Sequence, residues 1–208
     1  MPEIYPHIAN ATGELTNLTA LIDNALVTVV PQVEKDLRAN KIDIFFISAA
    51  NQAIPECGLG GNCPGPNHVY ISFDPESDKI TQEGLNESLL HEIHHAMRWR
   101  DPGYGNTLGK AMVTEGLACL YEEQVTGHVP IYAQVELNDE QITLAKSKLH
   151  AEDYDHNAWF FGSSQDIVRW FGYSYGYRIC KTYADRSNKT ASELVHVPPD
   201  LILGKFIN

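Results

Sequence analysis

The segment Leu89-Leu90-His91-Glu92-Ile93-His94-His95-Ala96-Met97 constrains this chain more than any other. His91 and His95 stand four positions apart, the spacing at which an α-helix brings two side chains to one side, a turn apart. Leu85, Leu89, Ile93 and Met97 recur at steps of four, so the pattern predicts a helix over 78–100 with one apolar face. On that helix the motif reads H-E-x-x-H. Two imidazoles there are able to hold one Zn²⁺, with the Glu92 carboxylate beside them as a general base. The same pattern also arises on ordinary amphipathic helices with surface histidines. His94, adjacent to His95, points about 100° away from it and reads as a packing or surface histidine.

A second stretch completes the set. Thr114-Glu115-Gly116-Leu117-Ala118 places Glu115 twenty residues beyond His95, in a second helix-like segment over 108–125. Between the two segments, Asp101-Pro102-Gly103-Tyr104-Gly105-Asn106 breaks the chain sharply enough to fold one helix back beside the other. A catalytic zinc has three protein ligands and an open position, and two histidines with a glutamate form one of the known sets. The expectation is one Zn²⁺ per chain held by His91, His95 and Glu115, with Glu92 as the base.

These residues carry a resemblance. H-E-x-x-H followed by a glutamate in an E-G-L-A context resembles the gluzincin zinc metallopeptidases. More narrowly, the chain is similar to a bacterial family of largely uncharacterised, predicted zinc-dependent proteases. The similarity runs from about Lys41 to the C-terminus: strand, glycine-rich loop, strand, HExxH helix, EGLA helix, then a helix rich in tyrosine and glycine. The resemblance implies an α+β zincin-like fold, with the strand before the metal helix forming the sheet edge that an extended peptide pairs with. It also implies a Gly-Tyr pair, matched by Gly172-Tyr173 and Gly176-Tyr177, so Tyr173 first and Tyr177 second are candidates to stabilise an oxyanion. Aromatic packing of a closing helix is the other reading of both. The chain departs from the thermolysin-like pattern at one place. Where those enzymes carry an aspartate four positions after the glutamate, to orient a ligand histidine, this chain has Cys119.

The rest of the chain sets limits. A formal net charge of −12 argues against nucleic acid, whose phosphates need a basic face. No apolar run approaches the about 20 residues of a membrane span, and the first residues show no signal peptide, which suggests a cytoplasmic location without excluding secretion of a processed form. Residues 13–40 read as helix, interrupted at Pro31 by a kink or a break. Ile42–Ser48 reads as a strand buried on both faces, 51–67 as a Gly- and Pro-rich loop, and His68–Phe73 as a second strand. Cys57 and Cys63 bracket five loop residues and read as free thiols rather than a disulfide; Cys119 and Cys180 read as small core residues. Asn138 caps a helix reaching His150. His128, His150, His156 and His196 lack ligand spacing, and the aromatic run 158–162 reads as core packing. A last short helix covers 200–206.

The sequence therefore predicts a single zincin-like domain over 1–208: a helical scaffold over 1–40, the sheet and metal helices over 41–125, and a helical part over 126–208. The predicted function is zinc-dependent hydrolysis of a peptide or protein substrate. A zinc-binding structural or interaction domain, and a zinc amidase acting on a small amide, stand as alternatives.

Overall fold

The computed structural model describes residues 3–207. They form an α+β protein that clusters into two compact units, Met1–Arg100 and Asp101–Asn208.

In the first unit a four-stranded sheet takes the order β1-β2-β4-β3, with β1 Ile4–Ala9, β2 Ile42–Ser48, β3 Leu59–Gly65 and β4 His68–Phe73. β1, β2 and β4 run parallel; β3 returns antiparallel to β4. Ile42, Ile44 and Phe46 of β2 and Val69, Ile71 and Phe73 of β4 are fully buried on one face. That face is the core, with helix α1 (Thr19–Leu37) and helix α2 (Gln82–Arg100) packed on each other and α2 on β3 and β4. The other face of β2 is only half-buried, not sealed as the apolar run suggested. Phe45 stacks there between His7 at 4.8 Å and Tyr70 at 5.0 Å on the flanking strands.

Three expectations are corrected in this unit. The first 40 residues are not purely helical, because Ile4–Ala9 pairs with β2 as an edge strand. Apart from Ile4 its residues are exposed, and it contains Pro6, so neither apolar alternation nor β-propensity marks it. The region 51–67 is not all loop, since Leu59–Gly65 forms β3. As a result β3, and not His68–Phe73, is the edge on this side of the sheet. Helix α1 also continues as one helix through Pro31, so the break is absent. Proline removes the donor that would reach the Val27 carbonyl, and Val27 is 77% exposed, so that carbonyl lies on the solvent side.

The second unit is helical: α3 (Leu108–Thr126), α4 (Asp139–Lys148), α5 (Phe171–Ser187), the short α6 (Ala191–Leu194) and α7 (Pro199–Ile207). Helix α3 starts at Thr107, whose hydroxyl accepts the Lys110 N–H, and ends at Gly127 with φ of 79°. The Asn138 side chain caps α4 by accepting the Gln141 N–H at 2.8 Å, as its position predicts. Helices α3 and α5 form the main contact of this unit. They touch backbone to backbone: a Cβ on Gly116 would fall 2.1 Å from the Gly176 carbonyl carbon, and one on Gly176 would fall 2.0 Å from the Met112 oxygen. Only glycine fits at either place. The aromatic run is a π-helical turn, Asn157–Phe161, with Trp159 and Phe160 buried and Phe161 47% exposed.

Candidate metal centre

Helix α2 is fixed at both ends. The Gln82 amide donates to the Leu21 carbonyl of α1 at 3.2 Å. At the other end the Trp99 indole N–H donates to the Cys63 carbonyl of β3 at 2.8 Å. Arg100 donates to the Asn40 side chain at 3.2 Å and to the Pro66 carbonyl at 3.3 Å. The stripe Leu85, Leu89, Ile93 and Met97 is buried, as its spacing predicts. His91 and His95 meet edge to face with ring centroids 4.5 Å apart. His91, Glu92 and His95 are 5–7% exposed, and His94 is fully buried, so it packs in the interior rather than lying on the surface. β3 crosses directly over Glu92 at Gly61, where a Cβ would fall 2.2 Å from the Glu92 Oε1.

Glu115 is buried in the middle of α3. The Tyr104 hydroxyl donates to its Oε1 at 2.5 Å. Tyr104 lies in the sharp connection before α3, and its own carbonyl accepts the Thr114 hydroxyl at 2.9 Å. The residue next to Glu115 thus holds the backbone of the residue whose side chain holds Glu115. Burial, and then the negative Glu115, push the Tyr104 phenol well above its ordinary value, so it stays protonated and donating. Glu115 also bears electrostatically on Tyr154 and His156. Burial raises the Tyr154 phenol and lowers the His156 imidazole, the latter opposed by Glu115 and Asp155.

Rings continue outward from this point. His156 stacks on Phe160 at 4.4 Å, Phe160 meets Tyr173 edge-on at 5.2 Å, and Tyr173 lies 5.1 Å from Tyr132. Tyr173 is half-buried in this wall. Tyr177, one turn on, is engaged elsewhere: its hydroxyl donates to Glu123 at 2.7 Å, beside Lys181, and its phenol is pushed up to about 12, by burial first and the Glu123 hydrogen bond second.

Tyr104, Tyr154 and His156 were not singled out by spacing. For Tyr104 a signal existed. A connection of seven residues between two helices must keep its side chains within reach of the first turns of the second helix.

His91, His95 and Glu115 are of the residue types that could hold a metal ion, and so are Cys119 and Glu122. Cys119 is buried, as read from the sequence. Glu122, three positions after it, is fully buried and accepts the Tyr132 hydroxyl at 2.8 and 2.7 Å. Two imidazoles and a carboxylate are donors that zinc accepts. All four cysteines are free, Cys57 and Cys63 included. Among the described residues no helix is long and apolar enough to cross a membrane.

The chain is an α+β protein with candidate metal-binding residues whose types fit zinc. The family described as "Predicted Zn-dependent protease (DUF2268)" matches residues 14–204, and the chain belongs to it. No curated protein and no solved structure matches the chain.

Proposed function

We propose that this protein is a zinc-dependent peptidase in which His91, His95 and Glu115 bind one zinc ion. The observation that carries this reading is the burial of His91, Glu92 and His95 together on α2, in a chain whose family is described as predicted zinc-dependent proteases. When bound, zinc supplies Lewis acidity, activating water and polarising the scissile carbonyl. Three protein ligands leave a position open for that chemistry, whereas a structural site would be closed by four.

The chain's own groups do the rest. Glu92 takes the proton from the attacking water and passes it to the leaving amine. Tyr104 holds the Glu115 carboxylate in one orientation through its hydroxyl. Of the two tyrosines in α5 we assign the oxyanion to Tyr173, which lies in the ring wall leading from Glu115; Tyr177 has its hydroxyl committed to Glu123.

A peptide fits this arrangement as an added strand. The Asp74 N–H donates to the Gly58 carbonyl at 3.0 Å. Bonded pairs recur at alternate residues of an antiparallel ladder, so Gly60 and Asn62 face β4 and Gly61 presents its N–H and C=O outward. An extended substrate pairing there would lie beside Glu92. An edge strand suits a peptide better than a small amide, which needs an enclosed pocket.

Metal analysis by mass spectrometry tests the ligand set. Wild type is expected to carry one zinc per chain and Glu115→Ala far less. Glu92→Gln is expected to retain zinc while peptide cleavage falls about 10²–10⁴-fold. Full cleavage by Glu92→Gln would eliminate the assigned base, and zinc retained by Glu115→Ala would eliminate the ligand set. Zinc binding by wild type with no cleavage across a peptide library would favour the structural alternative.

A further inference from the structure

We infer that Gly61 is a positioning residue for Glu92: the bare Cα of the edge strand is the seat on which that carboxylate rests. The inference deepens the peptidase reading and rests on it for the role of Glu92.

Glycine is costly in a strand, since it brings high unfolded-chain entropy and no side chain to pack. Its presence at position 61 therefore calls for a cause. Backbone conformation is not the cause, because Gly61 is not among the residues with positive φ. Main-chain crowding is not the cause either. Its neighbour Gly60 shows that case, where a Cβ would fall 2.0 Å from the Gln52 carbonyl oxygen. At Gly61 the three nearest atoms all belong to one side chain: Glu92 Oε1 at 2.2 Å, Cγ at 2.6 Å and Cδ at 2.7 Å. What excludes a side chain at position 61 is the arm of Glu92.

The surroundings make this contact a constraint on Glu92 in particular. Gly61 pairs with Ile71, a fully buried residue of the helix-facing side, so the missing Cβ points from the sheet toward α2. Helix α2 is tied to the same strand through Trp99 and Cys63. Helix and strand therefore cannot part freely to admit a methyl group. The relief open to the molecule is rotation of the Glu92 side chain. A base displaced by even about 1 Å loses much of its efficiency, because proton transfer needs hydrogen-bond distance.

The test is Gly61→Ala, made alone and together with Glu92→Ala, with melting temperatures measured in chelator and kinetics measured with zinc. In the wild-type background the substitution is expected to lower Tm by about 2–8 °C, as an overpacked site of about 1–2 kcal/mol does in a chain of this size. In the Glu92→Ala background the clash has no partner, and the shift should fall below about 1 °C. With zinc, Gly61→Ala is expected to lower kcat at least about 10-fold with KM changed less than about 2-fold and zinc content unchanged. An equal Tm loss in both backgrounds would overturn the inference, because the strand and not the carboxylate would then require the glycine. Unchanged kcat in Gly61→Ala would overturn it as well. If wild type cleaves no peptide at all, the peptidase reading fails by itself, and the melting-temperature comparison still decides whether Gly61 seats Glu92.

Discussion

Replacing Gly116 by alanine probes the contact that sets α3, and with it Glu115, against α5. The added Cβ would fall 2.1 Å from the Gly176 carbonyl carbon, 2.2 Å from its oxygen and 2.6 Å from the Tyr177 nitrogen. All three are main-chain atoms, so no rotamer change relieves the contact. Carbon atoms pack comfortably at about 3.5 Å, so the helices would have to part by roughly 1.4 Å. A gap of about 0.5–1 Å already forfeits a quarter to a half of the dispersion attraction along an interface. Overpacking costs about 1–3 kcal/mol, and an immovable backbone contact belongs at the upper end. Alanine regains at most about 1 kcal/mol of helix propensity. The net loss of about 2–3 kcal/mol lowers Tm by about 5–10 °C at this chain length. Far-UV circular dichroism in chelator reads it without any contribution from bound metal. Gly204 in α7 is the internal control. Its added Cβ would meet nothing within 4 Å, so Gly204→Ala should raise Tm by about 2–4 °C. A Gly116→Ala protein that melts at or above wild type would refute the argument.

Two further predictions concern hydroxyls. Tyr104→Phe leaves the ring but removes the donor to Glu115, and zinc affinity measured by chelator competition should weaken about 10–100-fold; affinity within about 2-fold of wild type would show that Tyr104 does not hold a ligand. Tyr177 titrates at about 12 in the folded protein, above the ordinary phenol, because burial and Glu123 favour its protonated form. The unfolded chain releases that proton first, so its contribution to stability is complete below about pH 10 and is lost as pH rises through about 12. Denaturation measured across that window should show a smaller decline in Tyr177→Phe than in wild type, and equal declines would remove Tyr177 from the balance.

The two helices that carry the candidate ligands were legible because their signals are local. HExxH, the leucine stripe and the following E-G-L-A specify residue type and spacing within single helices, and the observed α2 and α3 match those spans to within a few residues. β2 was legible as a continuous apolar run and β4 by its alternation. β3 was not, because Leu59-Gly60-Gly61-Asn62-Cys63-Pro64-Gly65 has almost no strand propensity and is a strand only by pairing with β4. Gly60 and Gly61, which read as loop, lie against the Gln52 carbonyl and the Glu92 arm, where an added side chain would collide, whereas Gly65 faces open space. β1 failed for a related reason: an edge strand exposed apart from Ile4 shows no periodicity. Pro31 misled because its penalty falls on the solvent side of α1. His156 looked solitary in the sequence because its neighbour Glu115 is forty-one residues away along the chain.

Pro6 makes the two rims of the sheet unequal. On the β1 rim a proline has deleted a donor; on the β3 rim a glycine leaves one pointing outward. Such a sheet can take on one visiting strand and is then finished, because the far rim gives the next visitor a poor template. Growth of a stacked ladder of copies needs two good rims. A sheet with only one rim able to pair thus limits runaway self-association.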